Sequence, residues 1–160
     1  MANALKLLKL KPTGFQLLQE VPIDAPPARV WKAILDADSW FKMDWERAAG
    51  VELTLEPRVG GRFMSERRDG SESRFFGTVA HLEPQKLLRI IGPMGMTHLP
   101  VTSSMIWELG PKKGGKATML RFCHRAYGMM TPDAKKQYSH GWKLFLAQLK
   151  TLAEKKEKKK

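Results

Sequence analysis

Two polar side chains in this 160-residue chain stand where they could do chemistry, His124 and Tyr138. An imidazole can orient a bound molecule or carry a proton near neutral pH, and a phenol can add a second hydrogen bond. His124 follows Thr118, Leu120 and Phe122 at every second position, so strand alternation puts all four on one face. Tyr138 belongs to a different pattern. Ala134, Tyr138, Trp142, Phe145, Leu149 and Leu152 recur at three- and four-residue steps, the stripe of an amphipathic helix. Met105 and Trp107 share a face of the preceding alternating segment, and strand parity adds Phe63 and Phe75 to the same lining. The same parity suits solid core as well as a binding surface, and a satisfied core histidine is the plain alternative for His124.

Other reactive groups do not assemble. His81, His98 and His140 show no ligand spacing with one another, and Cys123 points away from His124 by parity, so no metal is expected. A G-x-S-x-G elbow, a P-loop and a dinucleotide fingerprint are all missing, and the sequence implies no cofactor and no nucleophile–base set. Asp36, Asp38, Asp44 and Glu46 read as surface carboxylates around a short helix. Arg89 is ambiguous by parity, and the cost of burying an unpaired guanidinium favours the outside. Met94 and Met96, spaced by glycines, make a loop that suits either an adaptable binding surface or a gap-filling plug.

The elements that must position these residues follow from periodicity. Gly14 to Pro22 reads as a first strand, with Phe15, Leu17 and Val21 on one face. Asp24 precedes Pro26-Pro27, a helix start, and Val30, Trp31 and Ile34 give that helix its apolar stripe. A second short helix is expected from Ala37 to Asp44. At Val51 the period switches to alternation, and Asp69-Gly70 marks a tight hairpin. Strands then run from Val51 to Leu55, through Phe63 and Ser65, and from Glu72 to Leu82. Others follow from Leu87 to Ile91, Val101 to Leu109 and Thr118 to Tyr127. Glu108 and Arg121 fall on the faces opposite the aromatic set, which supports that register. Thr131 is the expected N-cap of the long helix. Hairpins followed by one terminal helix make an α+β protein whose sheet has one covered face.

A chain of this length buries roughly 70% of its unfolded surface, enough for a core without disulfides. The hydrophobic fraction of 42% is that of a globular domain. The single cysteine forms no internal disulfide, which points to a reducing cytoplasm. No stretch reaches the roughly 18 apolar residues of a membrane span. Half of the net charge of +12 sits at the chain ends, in a basic segment over residues 1–13 and a Lys-rich tail over 154–160, both expected to be flexible. One domain is expected between them, over 14–153. The charge resembles a nucleic-acid signature, but its placement at the ends and the missing recognition motif argue against specific nucleic-acid binding.

The ordered motifs carry a resemblance. Ile23-Asp24-Ala25-Pro26-Pro27-Ala28-Arg29-Val30-Trp31 resembles the strand-to-helix entry of the START-like (Bet v 1-like) SRPBCC superfamily, and Val59-Gly60-Gly61-Arg62-Phe63 its glycine turn. Gly77-Thr78-Val79 with Leu82-Glu83-Pro84, Trp107-Glu108-Leu109, and Tyr138 with Gly141-Trp142 are similar to later segments. Within the superfamily the likeness is to the branch of activator of heat shock protein 90 ATPase homologues. It implies a helix-grip fold: a curved seven-stranded antiparallel sheet, two short helices, and a long C-terminal helix enclosing a cavity. Phe63, Phe75, Met105, Trp107, Phe122, His124, Tyr138 and Trp142 would line that cavity, with Trp40, Trp45 and Met94 near its mouth. Gly141 would let backbone approach closely beside Trp142.

Three functions remain open on this reading. The first is a non-enzymatic binder of a small hydrophobic or amphipathic ligand in the cavity. The second is a cyclase/aromatase-like or hydrolytic enzyme using His124 and Tyr138 as acid–base groups. The third is a chaperone-associated protein-interaction module, with the basic tail steering an acidic partner. A fold transfers none of these by itself. Oligomeric state is left open.

Overall fold

The computed structural model describes residues 9–156. Residues 1–8 of the expected basic segment and 157–160 of the Lys-rich tail lie outside them. Alternating apolar residues build seven strands: β1 (Pro12–Ile23), β2 (Val51–Leu55), β3 (Arg62–Arg67), β4 (Ser73–Glu83), β5 (Leu87–Gly92), β6 (Val101–Lys112) and β7 (Ala117–Met129). They form one antiparallel sheet in the order β1-β7-β6-β5-β4-β3-β2. Glu108 pairs across β6–β7 with Arg121, which also bonds Glu20 of β1 at 2.9 Å. That charged row fixes the outer face, where Arg89 also lies exposed, and turns Trp107, Phe122 and His124 inward.

Between β1 and β2 the chain forms α1 (Pro27–Leu35), α2 (Ala37–Trp40) and α3 (Asp44–Ala48). Two short helices were expected; there are three, because the second is broken. The Trp40 indole turns back to donate to the Ile34 carbonyl at 3.2 Å, and Phe41 leaves helical geometry at the end of α2. The Glu46 carboxylate then accepts the Met43 N–H at 2.8 Å and starts a new turn. The break drops Phe41 into the core and carries Trp45 out to the surface.

The long helix α4 (Ala134–Glu154) crosses the inner face, burying Trp142, Leu146 and Leu149. Asp133, not Thr131, occupies its N-cap, and the Thr131 carbonyl instead closes the preceding turn on the Ala134 N–H. Its far end is held by side chains. Glu154 accepts the Asp24 N–H at 2.8 Å and pairs with Lys150, whose ammonium also reaches the Pro22 carbonyl. Among the described residues no helix is long and apolar enough to cross a membrane.

A sheet edge exposes unpaired backbone donors, and β2 is such an edge. Its Leu53 N–H is taken by the Asp38 carboxylate at 2.7 Å, and the buried Lys42 pairs with Asp38 at 2.6 Å. Partial burial pushes the Asp38 carboxyl up, but Lys42 and the Leu53 N–H outweigh it and hold it below its ordinary value. A carboxyl lowered in the fold contributes stability that is lost as pH falls through its folded pKa. Asp38→Ala should therefore cost about 1 kcal/mol at neutral pH, chiefly the Leu53 N–H bond, because solvent screens the ion pair of a half-exposed carboxylate. In urea unfolding the gap from the native protein should close below the aspartate range; a gap that persists in acid would reject this account.

Candidate functional site

Trp142 is the centre of the space between helix and sheet. Its ring lies 4.1 Å from Phe122 and 5.8 Å from Trp107, and its Nε1–H donates to His124 Nδ1 at 3.0 Å. An indole nitrogen only donates, so Nδ1 must present a lone pair, and a neutral His124 carries its proton on Nε2. Burial lowers the His124 pKa to about 4, so the ring is neutral at physiological pH. Tyr138 packs edge-on against His124 at 5.2 Å, but its hydroxyl donates to the Met94 carbonyl at 2.5 Å. Burial pushes the phenol up to about 12. The two groups thus touch through their rings while their resolved hydrogen bonds run to different partners.

The interior expected to hold a cavity is packed at this level. Trp107 and Phe122 pack ring on ring at 5.0 Å, Phe63 packs on Phe41 and Phe76, and Met105 and Trp40 are equally buried. Open volume lies instead at the seam where α4 meets α2, α3 and β4, in a groove of about 360 Å³. Trp142, Phe41 and Phe76 reach it from the core. Met94, Tyr138 and Phe145 form its sides, and Trp45, Met43, Glu46, Arg74 and Gln137 its rim. Trp45 is 54% exposed and carries the Arg74 guanidinium 5.8 Å from its ring centre. Arg74 also pairs with Glu72 at 2.7 Å, so its charge is partly offset. Larger hollows of about 550 and 950 Å³ lie across the sheet's β1, β5, β6 and β7 strands. They are rimmed by arginines such as Arg121 and Arg125, already bonded to Glu20 and Gln16. The seam groove runs from the exposed Trp45 ring to the buried rings of Phe41, Phe76 and Trp142, the largest aromatic set of the three.

The structure thus brings Trp45, Met94, Tyr138 and Trp142 of the expected set together in one groove, with His124 directly behind two of its walls. Phe75 is a correction. A β-bulge interrupts the β3–β4 register, so that Phe63 faces Gly77 and Met64 faces Phe75, leaving Phe76 as the extra residue. Phe76 turns inward and Phe75 is left 41% exposed. Close approach of Gly77 and Gly92 permits this. A Cβ on Gly77 would meet the Ile91 carbonyl at 2.7 Å, and one on Gly92 would strike Gly77. Gly141 is a second correction: beyond its own stretch of helix no heavy atom lies within 4 Å of the place its Cβ would take, so it opens groove space instead of admitting backbone. Phe145 was visible on the helix stripe. Phe41, Met43 and Phe76 were hidden by a helix break and a bulge that no local pattern announces.

Because the folded-state pKa of His124 is depressed from 6.5 to about 4, the unfolded chain binds its proton first. Stability from this residue is complete above pH 6.5 and is lost as pH falls toward 4, on the order of 3 kcal/mol. Urea unfolding across that interval should show the loss in the native protein and its absence in His124→Phe. Parallel curves for the two proteins would reject a buried neutral imidazole.

The family model described as activator of Hsp90 ATPase homolog 1-like protein matches residues 24–154. No curated protein matches significantly. Among solved structures, an uncharacterised Rhizobium leguminosarum protein superposes with a TM-score of 0.71 at 19% identity, over 91% of this chain and 98% of its own. A Chromobacterium violaceum protein gives 0.67 at 22% identity, over 88% and 98%. CalU16 from Micromonospora echinospora gives 0.61 at 20% identity, over 91% and 85%. These likenesses share the helix-grip fold described above, and the matched span runs from the turn before α1 to the last residue of α4. The chain therefore belongs to the family of activator of Hsp90 ATPase homolog 1-like proteins, within the SRPBCC superfamily that its motifs resemble.

Proposed function

We propose that this chain binds a small hydrophobic or amphipathic molecule with a flat ring body, seated in the groove between α4 and the α3–β4 rim. One observation carries the reading: an aromatic-walled opening of about 360 Å³ that continues from exposed Trp45 to buried Trp142. That volume lies in the range of small-molecule sites, which are mostly apolar with a few placed polar groups. Here the polar groups are Glu46, Gln137, Arg74 and the Tyr138 oxygen, all at the rim or side. Trp45, Met94, Tyr138 and Trp142 would contact the ligand, whereas Trp40, Phe63, Met105, Trp107 and Phe122 would shape the floor from behind. Phe75 has no part in this reading. An acid–base role for His124 and Tyr138 draws less support, since one imidazole nitrogen is occupied by Trp142 and the phenol proton by Met94. A reducing, cytoplasmic setting fits the free Cys123.

Gly141 provides a clean test. A leucine there fills the groove, and replacing a helical glycine favours the helix by up to about 1 kcal/mol. N-phenylnaphthylamine should brighten on binding the native protein, and Gly141→Leu should abolish the signal without lowering thermal stability. Trp45→Ala, which removes an exposed ring at the rim, should weaken binding about tenfold. Undiminished probe binding by Gly141→Leu would overturn the assignment to this groove.

A further inference from the structure

The hydrogen bond that fixes Trp142 also leaves something over. With Nδ1 accepting from Trp142, the proton of a neutral His124 sits on Nε2, and this nitrogen is buried with no hydrogen-bond partner in the protein. Leaving a buried N–H without an acceptor costs about 1–3 kcal/mol. The rings beside it, Phe15 at 5.1 Å and Tyr138 at 5.2 Å, offer at most a weak N–H···π attraction. Nor is it the one such atom in this layer. Met105 is the cross-strand partner of His124, and the residues two before and two after it, Ser103 and Trp107, also bury a polar atom that lacks a protein partner.

We propose that His124 Nε2–H is the specificity-determining donor for the groove ligand, and that it selects an uncharged oxygen acceptor, a ketone or ester carbonyl, on an apolar ring body. This inference rests on the groove reading and adds the ligand's polarity to it. The polarity follows from the bonding: Trp142 has consumed the imidazole lone pair, so the ring offers a proton and takes none. A carboxylate is disfavoured, because an ion brought to a site of 0% exposure loses its hydration and finds no cation there.

Tyr138 stands between groove and donor, its ring packed on His124 and its edge lining the groove. Its hydroxyl holds the carbonyl of Met94, a non-glycine residue at φ 47°, and Gly95 follows at φ 86°. A side chain in that left-handed region is strained, and with the hydroxyl released Met94 keeps its N–H bond to the Phe76 carbonyl as its remaining backbone tie. Movement of Tyr138 is therefore the step that admits the ligand carbonyl to Nε2.

The test uses two bicyclic probes of nearly equal size, α-tetralone and tetralin, which differ by one carbonyl. The native protein should bind the ketone about tenfold more tightly, the worth of one well-made buried hydrogen bond. His124→Phe, which keeps an aromatic ring and removes the donor, should bind both alike. Tyr138→Phe, which removes the hydroxyl's bond to the Met94 carbonyl, should take up the ketone faster. The native protein also gives a readout independent of any variant's folding: the His124 Nε2–H proton resonance should move downfield with α-tetralone and stay in place with tetralin. Equal affinities in the native protein, a preference that survives in His124→Phe, or a resonance already hydrogen-bonded and unmoved by the ketone (an internal water only) overturns the role of His124 and leaves the groove reading standing. Failure of both probes together with N-phenylnaphthylamine overturns the groove reading and this inference with it.

Discussion

The hydrogen bond from Trp142 to His124 organises the interior. It joins the long helix to β7 at a point where both partners are buried, so neither can turn to water as a substitute. Breaking it strands an indole N–H and an imidazole nitrogen in an apolar layer. It also sets the plane of the Trp142 ring, against which Phe122, Trp107 and Phe41 pack. One side of that ring faces the solid core and the other the groove, so the same contact that closes the fold defines the floor of the candidate site.

The groove exists because two local irregularities meet one missing side chain. The break between α2 and α3 brings Phe41 inward and leaves Trp45 at the rim. The bulge in β4 exchanges Phe75 for Phe76. Gly141 then leaves a gap on the helix where any other residue would project. None of these is stabilising by itself: a regular helix, an unbroken ladder and a helical alanine would each be favoured locally. Their coincidence at one seam is the physical reason for looking there, and Arg74 over Trp45 shows how an exposed ring at such a rim is kept in place by charge.

Much of the architecture could be read along the chain. Strand alternation put Trp107, Phe122 and His124 on one face, and the Glu108–Arg121 pairing shows that this register is the one adopted. The stripe from Ala134 to Leu152 predicted the covering helix. Its first turn was placed too early at Thr131, since a capping side chain is only one of several ways to close a helix start. Expectations weakened where two adjacent residues were both apolar, as at Phe75-Phe76, because parity cannot tell which of the pair a bulge will turn inward.

What the sequence determined by itself is therefore the periodic part: the order of elements, the face of each strand, the stripe of the closing helix, and the family these imply. Period and parity are local properties, imposed by backbone geometry within a few residues. Whether the covered face would hold a cavity or fill was decided only in three dimensions. The volumes of Trp107, Phe122 and Trp142 had to be fitted against one another, and the answer was a packed interior with the free space displaced to the seam. The state of His124 was settled the same way. Its tautomer and its neutrality come from a tryptophan eighteen residues away on another element and from burial against Phe15 of β1 and Tyr138 of α4, relationships that no spacing in the chain encodes.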